Sequence, residues 1–120
     1  MKTCVIGGGA WGSAFALYLG RMGYPTRLWI REPEIVQTAR RDRENPFFLP
    51  GYKFPAGVTI HDDEREALTD ADCIFIAVPS QHCRRIYGRL AGSLRPGQAV
   101  VSLTKGIEKS TLKRMTEIMT

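Results

Sequence analysis

Six residues near the start of the chain, Gly7-Gly8-Gly9-Ala10-Trp11-Gly12, match the spacing G-x-G-x-x-G. Glycines at these intervals suit the binding of a pyrophosphate by backbone alone. Gly7 permits a tight turn out of a strand. Gly9 lets a phosphate approach the main chain with no side chain between. Gly12 lets a following helix pack closely on a sheet. The free N–H groups at the helix start then meet the anion, and the helix dipole favours its charge. About 20 residues further on stand Arg31 and Glu32. An acidic residue there bonds a ribose 2′-hydroxyl, whereas arginine suits a 2′-phosphate by charge and by its fork of donors. Arg31 favours NADPH, and Glu32 keeps an NAD-type contact open. Lys105, beside Gly106, is a third candidate, a cation facing a phosphate group. Val78-Pro79-Ser80-Gln81 is the fourth, a segment lining the nicotinamide side of such a site.

These residues do this chemistry only if particular elements hold them. Short apolar, β-rich runs alternate with longer amphipathic stretches, which is the pattern of βαβ units. Thr3 to Ile6 reads as a strand and Ala10 to Met22 as a helix, with Trp11, Ala14, Phe15, Tyr18, Leu19 and Met22 at helical spacing. Gly23 and Pro25 end that helix. Thr26 to Ile30 is the second strand, and Pro33 opens a helix to about Arg41. Asn45 to Gly57 holds Pro46, Pro50, Gly51, Pro55 and Gly57 and reads as a loop carrying Phe47, Phe48, Tyr52 and Phe54.

Val58 to His61 is the third strand, and Asp63 to Leu68 a short helix with acids in its first turn. Cys73 to Val78 is a central strand ended by Pro79. Ser80 caps a helix to about Leu94. Ala99 to Leu103 is the fifth strand, Thr104-Lys105-Gly106 a turn, and Ser110 to Met119 a last helix. Right-handed crossovers then give an α/β fold: a Rossmann-type doubly wound parallel sheet, order 3-2-1-4-5, with helices on both faces. Its ligand edge is the carboxyl ends of the strands.

Composition narrows the partners. The 120 residues fit one domain, and 43% hydrophobic content is ordinary. No apolar run approaches the ~20 residues that span a bilayer. The start of the chain is too short in apolar residues for a signal peptide, so the expected location is cytoplasmic. The net charge of +5 is scattered, with no basic stripe and no interleaved aromatics, which favours small phosphate-bearing molecules over nucleic acid. Cys4, Cys73 and Cys83 lack the spacing of a disulfide framework or a zinc site, and no metal is expected. Cys4 and Cys73 read as small buried hydrophobes, and Cys83 beside Arg84 and Arg85 comes nearest to a reactive setting.

Five segments together resemble one family. Residues 7–14 (GGGAWGSA) are similar to the G-x-G-x-W-G-x-A opening of NAD(P)-dependent glycerol-3-phosphate dehydrogenases of bacterial type. Leu28 to Arg31 (LWIR) resembles their second-strand end, and Asn45 to Gly51 (NPFFLPG) their N-x-x-Y-L-P-G loop. Ala77 to Gln81 (AVPSQ) and Thr104 to Glu108 (TKGIE) also match, in the same order. The resemblance implies reversible hydride transfer between NADP or NAD and dihydroxyacetone phosphate, giving sn-glycerol 3-phosphate for phospholipid synthesis. It implies that Ala10, Trp11, Arg31, Glu32 and Phe48 lie near the dinucleotide, and Lys105 near both cofactor and substrate phosphate ester. Phe48 stands where the family often has tyrosine, which removes a hydroxyl.

Family members are longer. They continue through a glycine-proline-serine segment into a helical substrate domain with a second, proton-transferring lysine. Residues 1–120 are accordingly expected to be the NAD(P)-binding domain, binding dinucleotide with little turnover and holding no proton-transferring catalytic residue. A homodimer belongs to the full-length enzyme. The competing readings are a stand-alone dinucleotide-sensing module and the front domain of another two-domain NADP-dependent reductase. The NPFFLPG and TKGIE segments argue against the latter.

Overall fold

The structure, a computed structural model, describes residues 1–78, 85, 86, 88, 90–92 and 94–102. The elements in chain order are β1 (Thr3–Ile6), α1 (Ala10–Arg21), β2 (Thr26–Trp29), α2 (Pro33–Asp42), β3 (Glu44–Asn45), β4 (Leu49–Lys53), β5 (Val58–His61), α3 (Glu64–Leu68), β6 (Cys73–Ile76) and β7 (Ala99–Ser102).

Local chemistry sets these bounds. All four residues of β1 are buried, as expected of a strand covered on both faces. Gly23, at φ +92°, turns the chain after α1, and its N–H donates to the Gly20 carbonyl. Pro33 occupies the first turn of α2, where a missing N–H costs nothing. Asp63 caps α3 by accepting from the Arg65 N–H at 2.9 Å. At the other end of α3 the Arg27 guanidinium donates to the Glu66 and Thr69 carbonyls, which the helix leaves without partners.

β1 pairs in parallel with β2 and with β6, β2 with β5, and β6 with β7. The order across the sheet is β5-β2-β1-β6-β7. Counted among the sheet's own five strands this is 3-2-1-4-5, the doubly wound arrangement. The labels run higher because β3 and β4 form a separate antiparallel pair.

That pair corrects the reading of Asn45 to Gly57 as a loop. Glu44 pairs with Lys53 and Asn45 with Leu49. Pro50 and Gly51 are tolerated because the pair is short and exposed, away from any central ladder. The Glu44 carboxylate accepts the Gly51 N–H at 2.9 Å, and buried Phe54 anchors the far end.

Helices lie on both faces. On one, α1 and α2 bury Ala16, Leu17, Ile35 and Val36 against Val5, Leu28 and Val58. On the other, Ala67 and Leu68 of α3, with the helical residues Ile86 and Leu90, cover Cys4, Ile6, Ile74 and Ile76. The orientation of α1 differs from what its aromatic stripe suggests. Trp11, Tyr18 and Met22 are exposed, while Gly12, Ser13, Ala16, Leu17 and Leu19 face the sheet. Mostly small residues on that face let the helix approach closely.

Strand ends fall short of the expected ones. β2 stops at Trp29 rather than Ile30, and β6 at Ile76 rather than Val78. Leu103, the segment 79–84 and the expected helix Ser110 to Met119 lie outside the described residues. Among the described residues, no helix is long and apolar enough to cross a membrane.

Candidate dinucleotide site

The parallel register puts Ile6, Trp29 and Ile76 side by side at the carboxyl ends of β1, β2 and β6. The chain beyond each of these residues bounds a cavity of about 320 Å³. Gly7, Gly8 and Gly9 form the wall that follows β1. Trp29, Arg31 and Glu32 come from the end of β2, Ala77 and Val78 from the end of β6. Phe48, from the turn between β3 and β4, and Ile86 complete the lining. The volume lies in the range of small-ligand pockets.

Each glycine of the turn has its own reason. Gly7 has φ +126°, and a Cβ there would sit 2.2 Å from the Ala77 carbonyl oxygen. A Cβ on Gly8 would strike the Ile30 side chain at 2.6 Å, and one on Gly12 the Gly7 carbonyl oxygen at 1.9 Å. These three are glycine because the fold leaves no room. Gly9 differs. Its backbone is extended, at φ −72° and ψ −174°, and a Cβ there would meet nothing within 4 Å. Nothing in the described chain requires glycine at position 9, and the space over it is open.

Gly9 is also the N-cap of α1, with no side-chain capping bond and no acid in the first turn. The positive end of the helix dipole therefore stands without a counter-charge from its own first turn, which is the local chemistry of an anion site.

Arg31 is exposed at the cavity rim and, among the described residues, has no hydrogen-bond or ion-pair partner. Glu32 is half-buried and caps α2 through its backbone, its carbonyl accepting from the Ile35 and Val36 N–H groups at 3.1 Å. The carboxylate is not used as a cap. Arg31, without a partner among the described residues, and Glu32 are thus consecutive lining residues just beyond β2.

The structure brings Gly7, Gly9, Arg31, Glu32 and Phe48 to one cavity. Ala10 and Trp11 are exposed in the first turn of α1 next to it, and Gly12 is buried beneath the turn. Pro79 and Lys105 lie outside the described residues, as do Ser80, Gln81 and Cys83. Sequence reasoning missed Trp29 and Ile86 as lining residues. Trp29 reads in the sequence only as part of the second strand; it is 4% exposed, and its indole N–H donates to the Asp62 carbonyl at 3.0 Å. The remaining thiols are chemically quiet. Burial pushes the Cys4 thiol up to about 12, against a smaller opposing pull from Arg27. Burial, then the nearby Asp72 charge, also raises Cys73.

A doubly wound parallel sheet, with a glycine turn and an open cleft at its carboxyl edge, defines a Rossmann-type dinucleotide fold. Residues 2–120 match the family model described as NAD-dependent glycerol-3-phosphate dehydrogenase N-terminus, and the chain belongs to that family. It is 43% identical over 119 residues to the NAD(P)+ glycerol-3-phosphate dehydrogenase of Prosthecochloris aestuarii, covering 99% of this chain and 36% of that protein. It is 41% identical over 119 residues to that of Koribacter versatilis, covering 98% and 35%. The crystal structure of glycerol-3-phosphate dehydrogenase from Coxiella burnetii superposes with a TM-score of 0.88 at 29% identity, over 98% of this chain and 36% of that one. The chain therefore spans about a third of the length of the relatives it matches.

Proposed function

We propose that this chain is the dinucleotide-binding part of an NAD(P)-dependent glycerol-3-phosphate dehydrogenase, which interconverts dihydroxyacetone phosphate and sn-glycerol 3-phosphate for phospholipid synthesis. The observation that carries the proposal is Gly9. It is a glycine that the fold does not need, at the uncapped N-terminus of α1, on the wall of the cleft. A pyrophosphate approaching the main chain there accounts for it. The family match supports this reading over a stand-alone sensing module or the front domain of another reductase.

Bound NAD(P)H supplies the hydride. The chain's own residues bind and orient. The Gly7–Gly12 turn and the amides of Ala10 and Trp11 receive the pyrophosphate. Arg31 takes a 2′-phosphate, which makes NADPH the preferred cofactor, while Glu32 retains a contact for NADH. Phe48 packs on the dinucleotide through its ring alone, without the hydroxyl that tyrosine brings. Pro79 lines the nicotinamide side, and Lys105 meets the cofactor and the substrate phosphate ester. Both roles rest on the family likeness. Turnover also needs a proton donor, worth ~10²–10⁴ in rate. The family resemblance puts that donor in a helical domain beyond residues 1–120, where the homodimer contacts also belong. A cytoplasmic setting is part of the proposal, supported by the free Cys4 and Cys73 thiols.

Thermal unfolding with and without millimolar NADPH tests the reading. A ligand present at 100 times its Kd stabilises the folded state by about 2.7 kcal/mol, so Tm should rise. An unchanged Tm at millimolar NADPH counts against a formed site.

A further inference from the structure

Asn45 is fully buried and uses its whole amide. Its Nδ2 donates to the Gly8 carbonyl at 2.8 Å and to Ser13 Oγ at 3.0 Å. Its Oδ1 accepts from the Phe47 and Phe48 N–H groups at 3.2 and 3.3 Å. Ser13 Oγ donates to the same Gly8 carbonyl at 3.2 Å. An asparagine amide offers two donor hydrogens and one oxygen with two lone pairs, so these four contacts saturate it. The orientation is fixed too. A flipped amide would set its oxygen against the Gly8 carbonyl and its N–H groups against two backbone donors.

These bonds tie together segments 37 residues apart in sequence. One is the glycine turn at the head of α1. The other is the turn that carries Phe48 onto the cavity wall. Asn45 also fixes a direction. No peptide bond among the described residues is cis, so the Gly8 carbonyl and the Gly9 N–H point opposite ways. With the carbonyl held inward by Asn45 and Ser13, the Gly9 N–H is turned away from them.

We propose that Asn45 is a positioning residue for the ligand site. It sets the Gly9 amide and the Phe48 ring against each other before ligand arrives, so that one side chain pre-organises both the anion contact and the aromatic wall. The inference rests on the dinucleotide reading above. Its energetic sense is that turns ordered in advance need not be ordered on binding.

The test is a double-mutant cycle on the 120-residue chain, with NADPH titrations followed by tryptophan fluorescence. Wild type, Asn45→Ala, Phe48→Ala and the double variant are compared at a temperature where circular dichroism shows all four folded. Asn45→Ala should weaken NADPH about tenfold in the wild-type background. In the Phe48→Ala background it should cost less than about threefold, because part of its effect passes through Phe48. Equal factors in both backgrounds, or unchanged affinity of Asn45→Ala, overturn the proposal while leaving the dinucleotide reading intact. Absence of NADPH binding by the wild type overturns both. If Asn45→Ala does not fold, amide exchange in the wild type decides. NADPH should slow exchange at the Phe47 and Phe48 N–H groups more than at Gly51 N–H, which Glu44 holds in the same hairpin. Equal slowing, or none, defeats the proposal.

Discussion

At the scale of single residues, Gly9 and Gly12 separate binding from stability. Alanine at position 9 meets open space and an extended backbone that it can adopt. Gly9→Ala should change stability by less than about 1 kcal/mol, yet weaken NADPH binding. Alanine at position 12 would drive a methyl to 1.9 Å from the Gly7 carbonyl. Gly12→Ala should cost about 1–3 kcal/mol or more in urea unfolding. The reverse pattern in those two measurements would remove the argument for a pyrophosphate at the turn. Arg31 is a specificity residue on the same logic. Arg31→Ala should raise the Kd for NADPH about tenfold and leave NADH nearly unchanged. Equal losses for both would make Arg31 an unspecific surface charge. Cys4 gives a pH prediction. Its folded thiol titrates near 12 against an ordinary 9.0, so above pH 9 the unfolded chain binds fewer protons than the folded one. Stability should therefore fall as pH rises from 9 towards 12, by up to about 1.4 kcal/mol per pH unit from this group. Denaturation of Cys4→Ala at pH 8 and pH 10 should show a shallower loss than the wild type.

At the scale of elements, the sequence was legible where the signal was local. The apolar runs at Thr3, Thr26, Val58, Cys73 and Ala99 start the five strands where they were expected. What stayed hidden depends on distant contacts. β3 and β4 carry Pro50 and Gly51 in a mostly exposed segment, so composition reads as loop and only cross-strand pairing reveals the hairpin. Asn45 looked like a loop residue because its partners, Gly8 and Ser13, lie 37 and 32 positions away. The stripe on α1 gave the right period, but of its residues only Leu19 is buried, and Gly12, Ser13, Ala16 and Leu17 join it against the sheet. The entry to the hairpin is testable. Arg43 has a left-handed backbone, at φ 57°, and its guanidinium donates to the Pro55 and Val58 carbonyls at 2.5 and 2.6 Å. Arg43→Ala should destabilise by about 1–3 kcal/mol. Arg43→Gly should lose less, since glycine relieves a left-handed cost of about 1 kcal/mol. Equal losses in urea would show that backbone strain at Arg43 plays no part.

At the scale of the whole molecule, the parts converge on one edge of the sheet. Crossovers run to opposite faces on either side of β1, so the chain parts there and leaves a cleft. Into that cleft face a helix end with no side-chain cap and Arg31, which has no partner among the described residues. A net charge of +5 adds a general preference for anionic ligands. The most direct measurement is a titration of the 120-residue chain with NADPH and with NADH, followed by intrinsic fluorescence. Trp29 lines the cavity and Trp11 stands in the first turn of α1, so both report on the site. Saturable quenching by both cofactors, with the tighter Kd for NADPH, is the predicted result. No saturable binding of either at millimolar concentration would contradict the claim that this edge of the sheet is a dinucleotide site.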